Sequence, residues 1–296
     1  MYNVDCIQNL GASLGESPIW SCEEELLYWI DINNRLIHQF NPQTGKTRKW
    51  HSHTEIGCIG LAGNQKLIAG LRDGFYYFSP LSGTFDFIVD PEPDKPENRL
   101  NDGKVDRFGR MWCGSMRDPN PSDPVGALYR LSSADNCKRI LDGIRIPNAI
   151  SWSPNNKTMY FSDTRASIIW AFDFSLNTGA MTNKRIFVDL SQEIGRPDGA
   201  TVDEEGYLWN AEYGGSRVVR YTPDGDFDRQ IDLPVTNVTC CTFGGSDLST
   251  LYITTASQRL SAIELAEQPL AGGLFACDVD IKGLPEPYFA ENFNIQ

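Results

Sequence analysis

The chain has 296 residues, of which 41% are hydrophobic and 22% charged, as in an ordinary soluble globular protein. Its 39 acidic and 26 basic residues give a formal net charge of -13. Nucleic acids and anionic membranes attract cationic surfaces, so this charge argues against either partner. No apolar run approaches the roughly 20 residues of a membrane-spanning helix. No signal peptide is visible at the N-terminus, and we therefore expect a cytoplasmic location.

The cysteines and histidines give little indication of chemistry. Eight cysteines are present without a CxxC pair, and we expect reduced, mostly buried thiols. The three histidines are His38, His51 and His53. His51 and His53 could share one strand face and bind a metal ion, but two strand residues facing solvent is the favoured interpretation. Catalysis centred on histidine therefore has little support.

Six segments of the chain share one layout: a short apolar strand, a polar turn and a second strand. The second strands begin near Leu27, Leu67, Met111, Met159, Leu208 and Leu251, at spacings of 40, 44, 48, 49 and 43 residues. Repeats of this length with about four short strands each are typical of a β-propeller. The sequence therefore predicts an all-β, six-bladed propeller, with four-stranded antiparallel blades around a central channel.

We expect one domain over residues 1–296, with no linker. Ring closure usually needs strands from both termini in one blade. Residues 4–10 are predicted to form the outer strand of the last blade, although residues 287–293 could take the same place. Only residues 256–268 are predicted to form a helical turn.

The loops before the innermost strands are predicted to meet at one mouth of the channel. Counting back 10 to 12 residues from each second strand gives Glu16, Ile56, Asn101, Asn148, Asp198 and Thr239. Four of these six positions carry acids or amides, which six-fold geometry would direct towards one axis. Each residue alone is also typical of a tight turn.

A bound cation would account for this convergence, because clustered carboxylates repel each other and are costly to desolvate. Carboxylate and amide oxygens suit Ca²⁺, Mg²⁺ or Mn²⁺, with Zn²⁺ and Fe²⁺ as alternatives. The matched register therefore favours a site for one divalent metal ion over unrelated turn residues.

Six segments together resemble the family of the senescence marker protein (regucalcin), gluconolactonase and sugar lactonases. They are LGESPIW (14–20), NRLNDGKVD (98–106), RIPNAISWS (145–153), RPDGATVDEEGYLW (196–209), VTCCTFGG (238–245) and QPLAGGLF (268–275). The resemblance implies a six-bladed propeller with one catalytic divalent metal. It places the metal ligands at Glu16, Asn148 and Asp198, and it adds Arg99 and Asn101 as substrate-binding residues.

The chain departs from the family after the GSM-like strand, where some members carry an acidic residue that contacts substrate. Here the stretch reads Arg117-Asp118-Pro119, with Pro119 at the aligned position. Asp118 or Arg117 is the candidate substitute, so no sugar specificity is carried over.

The activity implied by the resemblance is hydrolysis of an aldonolactone, such as a glucono-, xylono-, galactono- or arabinono-lactone, to the aldonic acid. Asp198 is the better candidate for the general base, because its turn lets it contact both metal and water. Arg99 and Asn101 could hold sugar hydroxyls or stabilise negative charge. Arg99 has a competing role as a loop anchor, paired with a carboxylate such as Asp102.

Other functions stay open. Nucleophilic serine catalysis is disfavoured, since no GxSxG motif occurs. A non-catalytic calcium-binding propeller would have the same fold. A paraoxonase-like esterase would need an apolar rim, whereas the loop over residues 91–99 is polar and favours a small sugar lactone as the partner. We expect a monomer or a weak homo-oligomer.

Overall fold

A computed structural model describes residues 2–290. After β1 (Asp5–Gln8), three consecutive blades are formed by β2 (Gly15–Ser21), β3 (Leu26–Asp31), β4 (Leu36–Phe40) and β5 (Thr47–His51); β6 (Ile56–Ala62), β7 (Lys66–Leu71), β8 (Gly74–Ser79) and β9 (Thr84–Val89); and β10 (Asn98–Val105), β11 (Met111–Arg117), β12 (Gly126–Ser133) and β13 (Asn136–Ile144).

The next three blades follow in the same way. They contain β14 (Pro147–Trp152), β15 (Thr158–Asp163), β16 (Ile168–Ser175) and β17 (Ala180–Asp189); β18 (Arg196–Val202), β19 (Leu208–Tyr213), β20 (Arg217–Tyr221) and β21 (Phe227–Asp232); and β22 (Val238–Gly244), β23 (Thr250–Thr255) and β24 (Leu274–Asp278), with β1 as fourth strand. The predicted six-bladed, antiparallel propeller is confirmed. The single domain over 1–296 stays a prediction, because Met1 and residues 291–296 lie outside the description.

The N-terminal strand closes the ring. β1 pairs antiparallel with β24, with Cys6 opposite Phe275, so the prediction for residues 4–10 is confirmed. The alternative over residues 287–293 is wrong for the part described, because β25 (Tyr288–Phe289) instead runs parallel to β6. Residues 291–293 are outside the described part of the chain.

The segment after β24 crosses the end of the channel opposite the starts of the innermost strands. Gly283 N donates to Leu248 O in blade six, and Ala290 N donates to Gly109 O in blade three. Lys104 Nζ, in the channel, lies 3.2 Å from Glu286 Oε1 of this segment. The segment therefore joins several blades and covers that end of the channel.

Two short helical segments interrupt the strands in the described part of the chain. Helix α1 (Ala262–Glu267) lies within the predicted residues 256–268, and it begins at Ser261, whose side chain forms a capping box with Glu264. A 3-10 turn at Thr164–Ala166 was not predicted. No helix among residues 2–290 has the length and apolar content that crossing a bilayer requires.

The favoured interpretation of His51 and His53 as solvent-facing strand residues is confirmed in part, because both are exposed but β5 ends at His51 and His53 lies beyond it. His53 Nε2 lies 2.9 Å from Asp73 Oδ2. The prediction for the cysteines is confirmed, since all eight thiols are free and five are buried.

Two blades fix their first hairpin with the same buried carboxylate motif, seen in the sequence as VDRFGRMW (105–112) and VDEEGYLW (202–209). Asp203 Oδ1 accepts the backbone N–H groups of Glu205 and Tyr207, and its Oδ2 accepts Trp209 Nε1 at 2.8 Å. Asp106 holds its own turn and Trp112 in the same way. In blade five Asp203 also pairs with Arg220, and both side chains are buried. The carboxylate therefore ties the turn, a core tryptophan and a third strand together.

We predict that Asp203→Ala lowers the free energy of unfolding by about 3 kcal/mol, because it leaves Arg220 buried without this partner. Urea unfolding measures the loss. Asp224→Ala, at an exposed position of the same blade, is the control and should change stability by less than about 0.5 kcal/mol. Equal stability of the two variants would contradict the role given to Asp203.

Candidate active site

Each innermost strand has a register irregularity against the second strand, close to its first residues. It lies between Glu16 and Ile19 in β2 and between Asn148 and Ser151 in β14. The same interruption occurs in β6, β10, β18 and β22. Bulges redirect side chains that regular alternation would place elsewhere. The predicted site residues thus lie on the strands, at the bulges, and not in the loops before them.

The equivalence of the positions holds to within one residue. Glu16 and Asn148 are the last regularly paired residues before their bulges, opposite Ile30 and Ser162. Asn101 and Asp198 come one residue later, inside the bulge. The difference between a count of 11 and a count of 10 comes instead from the first hairpin, which is one residue shorter in blades three and five than in blades one and four.

The two remaining equivalent positions have structural roles. Ile56 is fully buried. Thr239 Oγ1 donates to Gly15 O at 2.6 Å, which joins blade six to the strand of Glu16.

A single cavity brings five of the six predicted site residues together. Its lining consists of Leu14, Glu16, Ile32, Arg99, Asn101, Met116, Ile146, Asn148, Thr164, Asp198, Tyr213, Gln258 and Arg259. Asp118, the sixth, does not line it. Of the loop over residues 91–99, only Arg99 reaches this cavity, while its neighbours line a separate depression. From the sequence we expected this polar loop to form the rim of the active-site cavity. Because only Arg99 of the loop lines the cavity, the polarity of the loop says little about that rim.

The electrostatics of the cavity are dominated by buried carboxylates. Burial, followed by the charge of Asp102, raises the pKa of Glu16 to about 8, against the opposing effects of the Ser17 N–H and Arg99. Burial also raises the pKa of Asp198 well above its usual range, with further contributions from Glu16 and Asp102. Without a counter-charge, Glu16 therefore retains its proton near neutral pH, and the charged form of Asp198 is disfavoured as well.

Asn148 presents an unused oxygen in the same cavity. Its side chain is 3% exposed, and its Nδ2 donates to Thr164 Oγ1 at 2.7 Å. Its Oδ1 is buried and has no hydrogen-bond partner among the described residues. An unpaired buried acceptor is costly, and a ligand that accepts electron pairs would relieve the cost. Two carboxylates and this amide oxygen are the donor set that a hard divalent cation fits.

Arg99 and Asn101 are held tightly by the protein. Arg99 donates from Nε to Asp118 Oδ2 and from Nη1 to Asn101 Oδ1, at 3.2 and 2.7 Å. Asn101 Nδ2 donates to Pro147 O at 2.9 Å. These bonds leave the Nη2 group of Arg99 and one N–H of Asn101 for a ligand. The carboxylate partner of Arg99 is Asp118, so the pairing with Asp102 suggested by the sequence is wrong.

The two candidates for the missing acidic contact have other partners. Asp118 binds Arg99 and Arg72, and it shapes the site through Arg99. Arg117 pairs with Glu97 and Asp123 at the surface.

Sequence reasoning missed several residues of this site. Asp102 was considered only as a partner of Arg99, but it accepts the Ile150 N–H at 3.1 Å, and burial raises its pKa to about 6. Tyr213 is the last residue of β19, and Arg259 lies in the connection that follows β23. For Asp102, the one signal in the sequence was its position next to Asn101.

Comparison with known proteins places the chain in a family. Residues 14–257 match the family model of the SMP-30/Gluconolactonase/LRE-like region, so the chain belongs to that family.

Relatives and solved structures agree with this placement. The chain is 33% identical to a 6-deoxy-6-sulfogluconolactonase of Pseudomonas putida over 285 residues, covering 96% of this chain and 98% of the relative. It is 34% identical to regucalcin of Danio rerio over 290 residues, covering 96% and 97%. A crystal structure of regucalcin from Agrobacterium tumefaciens, described as a calcium-binding protein, superposes with a TM-score of 0.94 at 26% identity, covering 98% of each chain.

We predict that Glu16→Gln stabilises the ion-free protein, and increasingly so as pH rises. Since the pKa of Glu16 is higher in the folded than in the unfolded chain, the stability it contributes is present below about pH 4.5 and is lost as pH rises towards 8. Glutamine has no proton to lose. In chelator, the unfolding midpoint should exceed that of the wild type by about 2–4 °C at pH 8 and by little at pH 4. A pH-independent difference would contradict the electrostatic account.

Proposed function

We propose that this chain hydrolyses a sugar lactone to its aldonic acid, using one divalent metal ion held by Glu16, Asn148 and Asp198. The single observation that carries the proposal is the meeting of an unpaired, buried amide oxygen with two buried carboxylates in one cavity. Membership of the gluconolactonase family, and a curated relative named for a lactonase activity, support the reaction class.

A divalent ion bound there would polarise the lactone carbonyl and lower the pKa of a bound water. Glu16 and Asp198 would together balance its two positive charges, whereas Asn148 adds no charge. Asp198 would be ionised beside the cation and would accept the proton of the attacking water.

Arg99 and Asn101, which line the same cavity, are proposed to orient the substrate. Since Asp118 and Asn101 fix the Arg99 guanidinium, its free Nη2 group has a defined position for a sugar hydroxyl or for the developing oxyanion. Asp118 is thus proposed to act on substrate through Arg99, not by contact.

Two other functions compete with sugar-lactone hydrolysis, and each has an observation in its favour. A non-catalytic calcium-binding propeller has the support of the crystal structure described as a calcium-binding protein. A paraoxonase-like esterase has some support from the apolar part of the lining, namely Leu14, Ile32, Met116 and Ile146.

We predict that Asp198→Asn lowers lactone hydrolysis by about 100-fold or more, because it removes the general base but keeps the size and one oxygen. Initial rates with D-glucono-1,5-lactone measure the effect, and thermal unfolding of the same sample checks the fold. Full activity of the variant would remove Asp198 from the mechanism. A wild-type protein that binds metal but hydrolyses no sugar lactone would favour the calcium-binding alternative.

The charge of the substrate can also be predicted, from Arg259. This residue lines the cavity on a turn held by Ser257 N to Ala12 O and Gln258 N to Ser13 O. Arg99 forms a salt bridge with Asp118. Arg259, by contrast, takes part in no salt bridge with any residue between 2 and 290. We propose that Arg259 attracts an anionic substituent, such as the sulfonate in the substrate that names the Pseudomonas putida relative.

Sulfonated and neutral gluconolactone should therefore differ in kcat/KM by about 10-fold in favour of the sulfonated form. Arg259→Gln should remove that preference with less than a 3-fold effect on the neutral lactone. Arg196→Gln is the control, because Arg196 donates to Ser167 outside the cavity. Equal loss on both lactones in Arg259→Gln would contradict the prediction.

A further inference from the structure

The direction of the Asn148 side-chain amide decides whether this residue can bind a cation, because the oxygen can do so and the NH₂ group cannot. We propose that Thr164, through its hydroxyl, is the positioning residue that turns the Asn148 oxygen into the cavity. This inference rests on the proposed function, since the value of that orientation lies in the metal site.

The directions of these hydrogen bonds follow from one group that can only accept. The Pro197 carbonyl can only accept, and Thr164 Oγ1 lies 2.8 Å from it, so the hydroxyl donates its one proton there. Thr164 Oγ1 is then limited to accepting from its other neighbour. Asn148 Nδ2 lies 2.7 Å away and donates to it. The Asn148 oxygen must consequently face away from Thr164, and it is the atom left without a hydrogen-bond partner within residues 2–290.

Thr164 itself is fixed by the backbone. It is the first residue of the 3-10 turn, for which the Asp163 side chain provides the N-cap. Thr164 N donates to Ile146 O at 2.9 Å, which ties the turn to the segment just before Asn148. The hydroxyl therefore sits at a defined position and cannot follow a rotated amide.

The same chain of bonds connects two of the proposed metal ligands. Pro197 is adjacent to Asp198, so Thr164 joins the strand of Asn148 in blade four to the strand of Asp198 in blade five. On the other side of Asn148, Asn101 Nδ2 binds Pro147 O and Asp102 accepts the Ile150 N–H. The backbone on both sides of Asn148 is thus held by blade three, which leaves the rotation of the side-chain amide to Thr164.

Thr164→Val tests this directly, because valine keeps the shape and removes the hydroxyl. The Asn148 NH₂ group loses its acceptor, so no hydrogen bond holds the amide with its oxygen in the cavity. Mn²⁺ is the probe, and its affinity is measured from free Mn²⁺ by electron paramagnetic resonance. We expect Thr164→Val to weaken binding by about 10- to 100-fold, as for other residues that orient metal ligands. Thr164→Ser should restore affinity to within about 3-fold.

Thr242→Val is the matched control. Thr242 is also buried, on innermost strand β22, but its hydroxyl has no partner among the described residues, so valine breaks no bond. Its Mn²⁺ affinity should equal that of the wild type. Wild-type affinity in Thr164→Val, or a loss in Thr164→Ser as large as in Thr164→Val, would overturn the proposal.

A second measurement separates this inference from the proposed function. In the presence of chelator, Thr164→Val should lower the unfolding temperature more when it is introduced into the wild type than when it is introduced into Asn148→Ala. The reason is that the hydrogen bond between Asn148 and Thr164 is already absent from Asn148→Ala. An identical shift in both backgrounds would overturn the role of Thr164. A wild-type protein that binds neither Mn²⁺ nor Ca²⁺ would refute the metal in the proposed function, while this cycle would still decide whether Thr164 holds Asn148.

Discussion

The cost of burying several carboxylates together at the mouth of the channel is the constraint on which the function of this protein depends. Glu16 and Asp198 lie in one cavity, Asp102 acts on both, and burial raises the pKa of each of the three. A protein without a ligand there would gain stability from neutral residues. Under the proposed function a positive partner would remove this cost, and the surrounding bonds would keep the groups in place for it.

The propeller supplies the rigidity that such a site requires. Closure of the ring by β1 fixes the position of blade six against blade one. Thr239 then binds the carbonyl before Glu16, and Thr164 joins blades four and five. Neighbouring blades are thus linked at the site itself, so a ligand meets groups whose positions are set by the ring and not by mobile loops.

Most of the fold and much of the candidate site could be predicted from the sequence, because both follow from the repeat. The period fixes the blade count, and similar distances from the second strands, 10 or 11 residues, bring out Glu16, Asn101, Asn148 and Asp198, while the choice of three of them as metal ligands comes from the family resemblance. The bulges could not be predicted, since no residue pattern marks them, and neither could the lengths of the first hairpins, which make the count vary. Likewise, Arg99 pairs with Asp118 because β10 lies beside the end of β11. The spacing of the two residues along the chain does not reveal this contact.

Hydrolysis of a panel of neutral and anionic sugar lactones after chelation, followed by stepwise return of a divalent metal, tests the central claim most directly. The account predicts that chelated protein is inactive, that activity returns in proportion to added metal, and that it saturates at one ion per chain. Undiminished hydrolysis in the fully chelated protein, with metal content verified by elemental analysis, would contradict it.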